Sequence, residues 1–373
     1  MMPPPTRRAL RILNVIGQSD PDRNGMVDPA TRALAARGHE LHVAVRAAQD
    51  EVEDTHEVEV HRWPMPVGRA GELPLLLALQ LRLRADVIHF HPRHSLGPLS
   101  LPTRLFSWPL RNPVLVATPS VDARVRPFGA RALDAIAVPT ADRAARLIRA
   151  GLPPERIHVV HNGIDPAARR KPEDQRPVIF ALGRIVMRKG FDVLLHAFDS
   201  AASSRPDWQL VVAGEGRELV RLRKLAGRLR HGDRIFLPGH VSGEQKERLF
   251  REASIGVVPS RKDDLPAAML ELQAHGIAVV ASDVGAIGEV AAAGEAARLV
   301  PPDDPGALAR ALGELMDRPD DRRRLEEGAL ASCRERTWPR VAHRLEALYA
   351  GLLSAERGVP DAEPEALPRS ETP

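Results

Sequence analysis

Pro259-Ser-Arg-Lys-Asp-Asp-Leu-Pro-Ala-Ala-Met-Leu-Glu271 sets one carboxylate, Asp263, in a loop and a second, Glu271, inside an apolar helix. Pro266 is a favoured first helical position, and the surrounding Ala267, Ala268, Met269, Leu270 and Leu272 predict burial on nearly every side. Glu271 is therefore expected to be a charge in a core-like setting. One helical turn away it meets only Ala267, Ala268, Ala274 and His275, and an ionised group is costly to bury unpaired. Two readings stand: an ion pair with a distant Arg, as buried charges usually have, or a ligand whose hydroxyls donate to it.

Three other segments bear on that choice. Pro177-Val-Ile-Phe-Ala-Leu-Gly183 is a short apolar run suited to a parallel strand. It leads directly into Arg184-Ile-Val-Met-Arg-Lys189-Gly190, which puts the cations Arg184 and Lys189 at the carboxyl end of a strand, where open α/β sheets bind ligands. A helix is expected to start near Phe191, adding its amino-terminal dipole to a phosphate site. Downstream, Val279-Val-Ala-Ser-Asp283-Val-Gly285-Ala286-Ile-Gly-Glu289 predicts a strand, a glycine turn and a helix start with free backbone N–H groups. Val160-His-Asn162-Gly163-Ile-Asp165 is a turn-rich break after a strand.

Together these segments resemble the donor half of the retaining, nucleotide-sugar-dependent glycosyltransferases of family four. The matching pieces are Gly183-Arg184 with Lys189-Gly190, Val212-Ala-Gly214-Glu-Gly216, Pro238-Gly239, Pro259-Ser260-Arg261, Asp263 to Glu271, His275-Gly276, Asp283-Val-Gly285 and Glu289. Arg37-Gly38-His39-Glu40, Asp86-Val-Ile-His89, the Asn162 to Asp165 break and Trp338 extend it outside that half. The resemblance implies an α/β protein of the GT-B fold, two Rossmann-like domains with parallel sheets facing a central cleft. It divides the chain into an acceptor-binding domain at 1–168, a donor-binding domain at 169–338, a closing helix at 339–355 that crosses back, and a Pro- and Glu-rich tail at 356–373 expected to be disordered.

Composition agrees. A chain of 373 residues with 43% hydrophobic content is ample for two cores. The single cysteine, Cys333, excludes a disulfide framework and fits a reducing cytoplasm. No apolar run reaches the ~20 residues of a membrane span, and the start of the chain lacks the features of a signal peptide. The amino-terminal half is net basic, which suits an anionic acceptor or peripheral contact with a membrane surface. Aromatic residues at 3% argue against a stacking platform for nucleic acid. Strands are predicted near 10–16, 41–45, 58–62, 86–90, 113–117, 134–138 and 157–161, then near 177–182, 208–213, 234–237, 255–258, 278–281 and 297–300. A helix is predicted from Asp28-Pro29 to Gly38, and another over Leu73 to Leu83.

The resemblance also implies roles. Arg184 and Lys189 would neutralise the departing diphosphate, Glu271 would accept the ribose hydroxyls, and Asp263 would read the sugar. Gly25, Gly183, Gly214, Gly285 and Ala286 would line the donor. Front-face attack, with the acceptor's proton passing to the departing phosphate oxygen, would retain configuration. No cofactor and no metal is expected. The chain departs from the family's pattern at Asp263, where relatives usually have Glu, at Asp264 for Gly, at Asn24-Gly25 for Gly-Gly, and at Ser120 for a His. His89 and His91, with Arg93, His94 and Ser120, are acceptor-side candidates; as metal ligands the two histidines are disfavoured by an expectation that they point to opposite faces. Gly214-Glu-Gly216 fails as a dinucleotide loop because Leu219 takes the third glycine position. A sugar-nucleotide epimerase shares the architecture, but the two cations and two carboxylates favour transfer. A non-catalytic sugar-nucleotide-binding protein is the rival that Ser120 and Asn24 motivate.

Overall fold

The computed structural model describes residues 8–16, 29–46, 57–63, 69–92, 95–96, 113–119, 124–125, 130–165, 175–292 and 295–356. The chain divides into two compact units: residues up to 138 with 146–160 and 339 onward, and residues 139–145 with 161–338. The first unit holds β1 (Arg11–Ile16), β2 (Glu40–Arg46), β3 (Val58–Trp63), β4 (Val87–His91), β6 (Val114–Ala117), β8 (Ala135–Val138) and β9 (Ile157–Val159). They form one sheet in the order β3-β2-β1-β4-β6-β8-β9, every pairing parallel. A separate short pair joins β5 (Ser95–Leu96) to β7 (Arg124–Val125). Its helices are α1 (Pro29–Ala35), followed by a left-handed Gly38, and α2 (Arg69–Leu83), while α3 (Ala141–Arg149) is divided, with 141–145 assigned to the second unit and 146–149 to the first.

The second unit repeats the scheme with β10 (Val178–Leu182), β11 (Gln209–Ala213), β12 (Ile235–Gly239), β13 (Ile255–Val258), β14 (Ala278–Ser282) and β15 (Arg298–Val300), ordered β12-β11-β10-β13-β14-β15 and all parallel. Between them run α4 (Phe191–Ala201), α5 (Leu219–Ala226), α6 (Gly243–Glu252), α7 (Ala267–Ala274), α8 (Ala286–Ala292), α9 (Pro305–Asp317) and α10 (Pro319–Arg334). Parallel sheets are covered on both faces, so their strands are apolar throughout. β10 shows this directly: Ile179 and Ala181 enter one core with Leu194, Phe198 and Leu312, while Val178 and Phe180 enter another with Met269, Leu272 and Val279. The strand order reverses between β10 and β13, which opens a crevice at their carboxyl ends.

From residue 339 on, α11 (Trp338–Glu356) belongs to the first unit. A buried polar network holds it there. The Tyr349 hydroxyl lies 2.7 Å from His89 Nδ1, and His89 Nε2 lies 2.8 Å from Thr118 Oγ1. Glu346 accepts from Arg37 Nε at 2.9 Å and from Arg37 Nη2. Leu10 N donates to His39 Nδ1, so the His39 proton sits on Nε2, 3.5 Å from Glu346 Oε1. Where the second unit ends, Gly163 packs so close to the Trp338 ring that a Cβ there would lie 2.3 Å from it. No helix among the described residues is long and apolar enough to cross a membrane.

Burial, then the neighbouring His91, hold the His89 imidazole well below its ordinary value of 6.5, and burial lowers His39 in the same direction. The unfolded chain therefore takes up protons first as the pH falls. Stability from His89 is complete above the unfolded value and is lost below it, with a limiting slope of about 1.4 kcal/mol per pH unit. Melting temperature is expected to drop below about pH 6.5, and His89→Gln is expected to flatten that drop. An unchanged slope in the variant would remove His89 as the cause.

Candidate functional site

The loops that leave β10, β11, β13 and β14 are pressed into one rim at the carboxyl edge of the second sheet. A Cβ at Gly214 would lie 1.9 Å from Gly183 O, and one at Gly190 would lie 2.0 Å from Pro259 O. Only glycine permits those approaches, and both positions also take positive φ. Hydrogen bonds lock the rim: Gly183 N to Ala213 O, Ile185 N to Glu215 O, Arg261 N to Arg188 O, and Ala286 N to Asp263 O at 3.1 Å. Gly183, Gly214, Gly285 and Ala286 are thus brought together with the charged residues of the loops.

Lys189 Nζ lies 2.5 Å from Asp263 Oδ2, which also accepts from Ser260 Oγ at 3.1 Å. The pair is largely withdrawn from water, with side chains 14% and 2% exposed. Lys189 stands immediately before Gly190, which leads into α4, so the helix amino terminus adds to the positive field. Arg184 is exposed and makes no ion pair among the described residues. Arg261 braces the rim from beneath: its guanidinium takes both Asp192 oxygens at 2.9 and 3.1 Å, and its Nε donates to Asp303. Burial alone would raise the Asp192 carboxyl, but the Arg261 bonds outweigh it and hold the group below its ordinary range. The roles of Asp192, Ser260 and Asp303 are not visible in the chain order; an acid in the first helical turn was the one available signal.

Glu271 corrects the sequence reading. Its side chain is 42% exposed, and its Oε2 lies 2.6 Å from Lys246 Nζ on α6. The partner is a lysine, not an arginine, and it was missed because it comes from a different helix. Leu272, the next residue, fills the space above Gly256, where a Cβ would lie 2.8 Å from it, and so pins α7 to β13. His275 closes this edge, stacked on Phe250 at 3.9 Å and bonded through Nδ1 to Glu271 O.

The acceptor-side candidates fare differently. His89 is 2% exposed and both its nitrogens are taken, so it is a buried structural group and not a contact for an acceptor. His91 is half-buried with Nε2 3.2 Å from Asn14 Oδ1. The two rings lie 4.3 Å apart, which overturns the expectation of opposite faces: residues two apart on a strand share a face. Gly25 and Ser120, with Asn24, Arg93, His94 and the tail beyond 356, lie outside the described residues.

Two Rossmann-like units with parallel sheets, one carrying this cationic rim at its switch point, define a protein of the GT-B fold. The family model for "Glycosyl transferases group 1" matches residues 165–331, and that for "Glycosyltransferase Family 4" matches residues 30–168. The chain belongs to the family 4 glycosyltransferases. A D-inositol 3-phosphate glycosyltransferase of Streptomyces scabiei is 32% identical over 250 residues, 61% of this chain and 56% of the relative, so the match spans little over half of that protein. A glycosyltransferase structure from Rickettsia africae superposes with a TM-score of 0.76 at 16% identity, covering 93% of this chain and 99% of the other. The HepE protein of Anabaena, solved with UDP-glucose, gives a TM-score of 0.67 at 16% identity, covering 91% and 99%.

Proposed function

We propose that this chain is a retaining glycosyltransferase that moves a sugar from a nucleotide-diphosphate sugar to a hydroxyl acceptor without a metal. The observation that carries the reading is the Arg184–Lys189 loop at the β10 carboxyl end, with Asp263 beside it and the α4 amino terminus behind it. Breaking the bond from the sugar carbon to the phosphate oxygen builds negative charge on the diphosphate. Arg184 meets that charge from solvent, and Lys189 has three N–H donors of which Asp263 uses one. Asp263 Oδ1 takes none of the bonds described above and suits a sugar hydroxyl. Glu271 suits the ribose hydroxyls once Lys246 is drawn aside. The acceptor oxygen bonds to the same face of the sugar carbon, and its proton passes to the departing phosphate oxygen, so no protein base is required. The Anabaena neighbour's UDP-glucose and the inositol phosphate named for the Streptomyces relative make uridine donors and polyol acceptors the first to try.

The test is release of nucleoside diphosphate from UDP-, GDP- and dTDP-sugars by the full chain, with and without chelator. Turnover is expected with at least one donor and is expected to survive chelation. Glu271→Gln is expected to weaken nucleoside diphosphate binding, and Asp263→Asn to leave it nearly intact while reducing transfer. Binding with neither transfer nor hydrolysis would replace this reading by that of a sugar-nucleotide-binding protein. Activity lost on chelation and restored by metal would overturn metal independence.

A further inference from the structure

His42, Glu59 and His61 bring three metal-ligating side chains together on β2 and β3 of the first unit. The parallel register sets His42 opposite Glu59 and His61 opposite Ala44, so all three side chains fall on one face of β2 and β3. Among the described residues β3 is the outermost strand of its sheet and pairs only with β2. His42 Nδ1 lies 3.3 Å from both His61 Nε2 and Glu59 Oε2, and His61 Nε2 lies 3.7 Å from Glu59 Oε1. Donors that hold a tetrahedral ion at about 2.0–2.1 Å stand roughly 3.3–3.4 Å from one another.

Both nitrogens of His42 face polar partners. Its Nε2 lies 3.0 Å from Glu40 Oε1, and its Nδ1 faces Glu59. A carboxylate only accepts, and a neutral imidazole has a single N–H. With that proton donated to Glu40, the Nδ1 lone pair is left to accept from His61 Nε2 at 3.3 Å or to bind a cation shared with Glu59. A carboxylate on the far nitrogen is also the support that metal-bound imidazoles ordinarily have. His42 is buried while Glu59 is half exposed, which leaves a way in from solvent. Arg82 touches Glu59 at 3.2 Å, but it is mostly exposed and readily displaced.

We propose that His42, Glu59 and His61 bind one divalent cation of the zinc class, which ties the outermost strand to its neighbour. This revises the expectation of no metal for the sheet edge and leaves the donor chemistry proposed above unchanged. The test is calorimetric titration of zinc into the full chain after removal of bound metal. One ion per chain is expected, with micromolar or tighter affinity and a raised melting temperature. Glu59→Gln and His61→Gln, each checked for native circular dichroism, are expected to weaken binding by at least about tenfold and to abolish the thermal shift. No saturable one-to-one binding below millimolar zinc would overturn the proposal and leave a hydrogen-bonded cluster. Binding that persists undiminished in both variants would also overturn it, by placing the ion on others of the 14 histidines.

Discussion

Arg184→Ala is expected to lower turnover by about two to three orders of magnitude, the scale for one lost electrostatic donor, and to leave the melting temperature where it was. The two halves of that result have separate causes. Arg184 is exposed and has no ion-pair partner among the described residues, so the folded state loses nothing when it is removed. Its charge is useful only when the diphosphate accumulates negative charge, which is greatest as the bond to the sugar breaks. A contact of that kind lowers kcat and kcat/KM together. Steady-state kinetics with the preferred donor, beside a thermal melt, measures both. Wild-type turnover in the variant would overturn the assignment, and a rise in KM alone would reduce Arg184 to a ground-state contact.

The strands were legible because parallel sheets are buried on both faces and leave short, unbroken apolar runs between polar turns. Val178 to Leu182, Ala278 to Ser282 and Ala135 to Val138 read this way with no help from tertiary context. Glycines were legible for a related reason. Gly190, Gly214 and Gly285 stand where one backbone crosses another, and any side chain would collide there.

Pairings between elements were not legible. Counting apolar neighbours makes Glu271 look buried, yet two of the five residues counted, Ala267 and Ala268, are alanines, which are too short to cover it. Ala267 and Glu271 lie four apart on the exposed side of α7, while Met269, Leu272 and Gln273 face the core. Lys246 supplies the countercharge from α6, at a position that carries no local signal. The same limit hid the Tyr349 bond to His89, which joins residues 260 positions apart. The resemblance assigns Lys189 to the diphosphate and Asp263 to the sugar, and in the folded chain each is also the other's counterion.

That pairing sets up the second large effect. Lys189→Ala is expected to destabilise the protein by roughly 3–5 kcal/mol, because it strands the Asp263 charge in a site that excludes water. Turnover is expected to fall as well, but loss of fold and loss of phosphate contact would look alike in that single variant. Adding Asp263→Asn separates them. The amide is neutral and can still bond Ser260, so the double variant is expected to regain much of the lost stability in a urea titration, while nucleoside diphosphate binding, which Asp263→Asn alone is expected to leave nearly intact, stays weak. A Lys189→Ala variant as stable as the wild type would mean that the ion pair is not formed in solution. A double variant that recovered nucleoside diphosphate binding along with stability would mean that Lys189 serves only to hold the rim together, and that the diphosphate is met by Arg184 and the helix amino terminus.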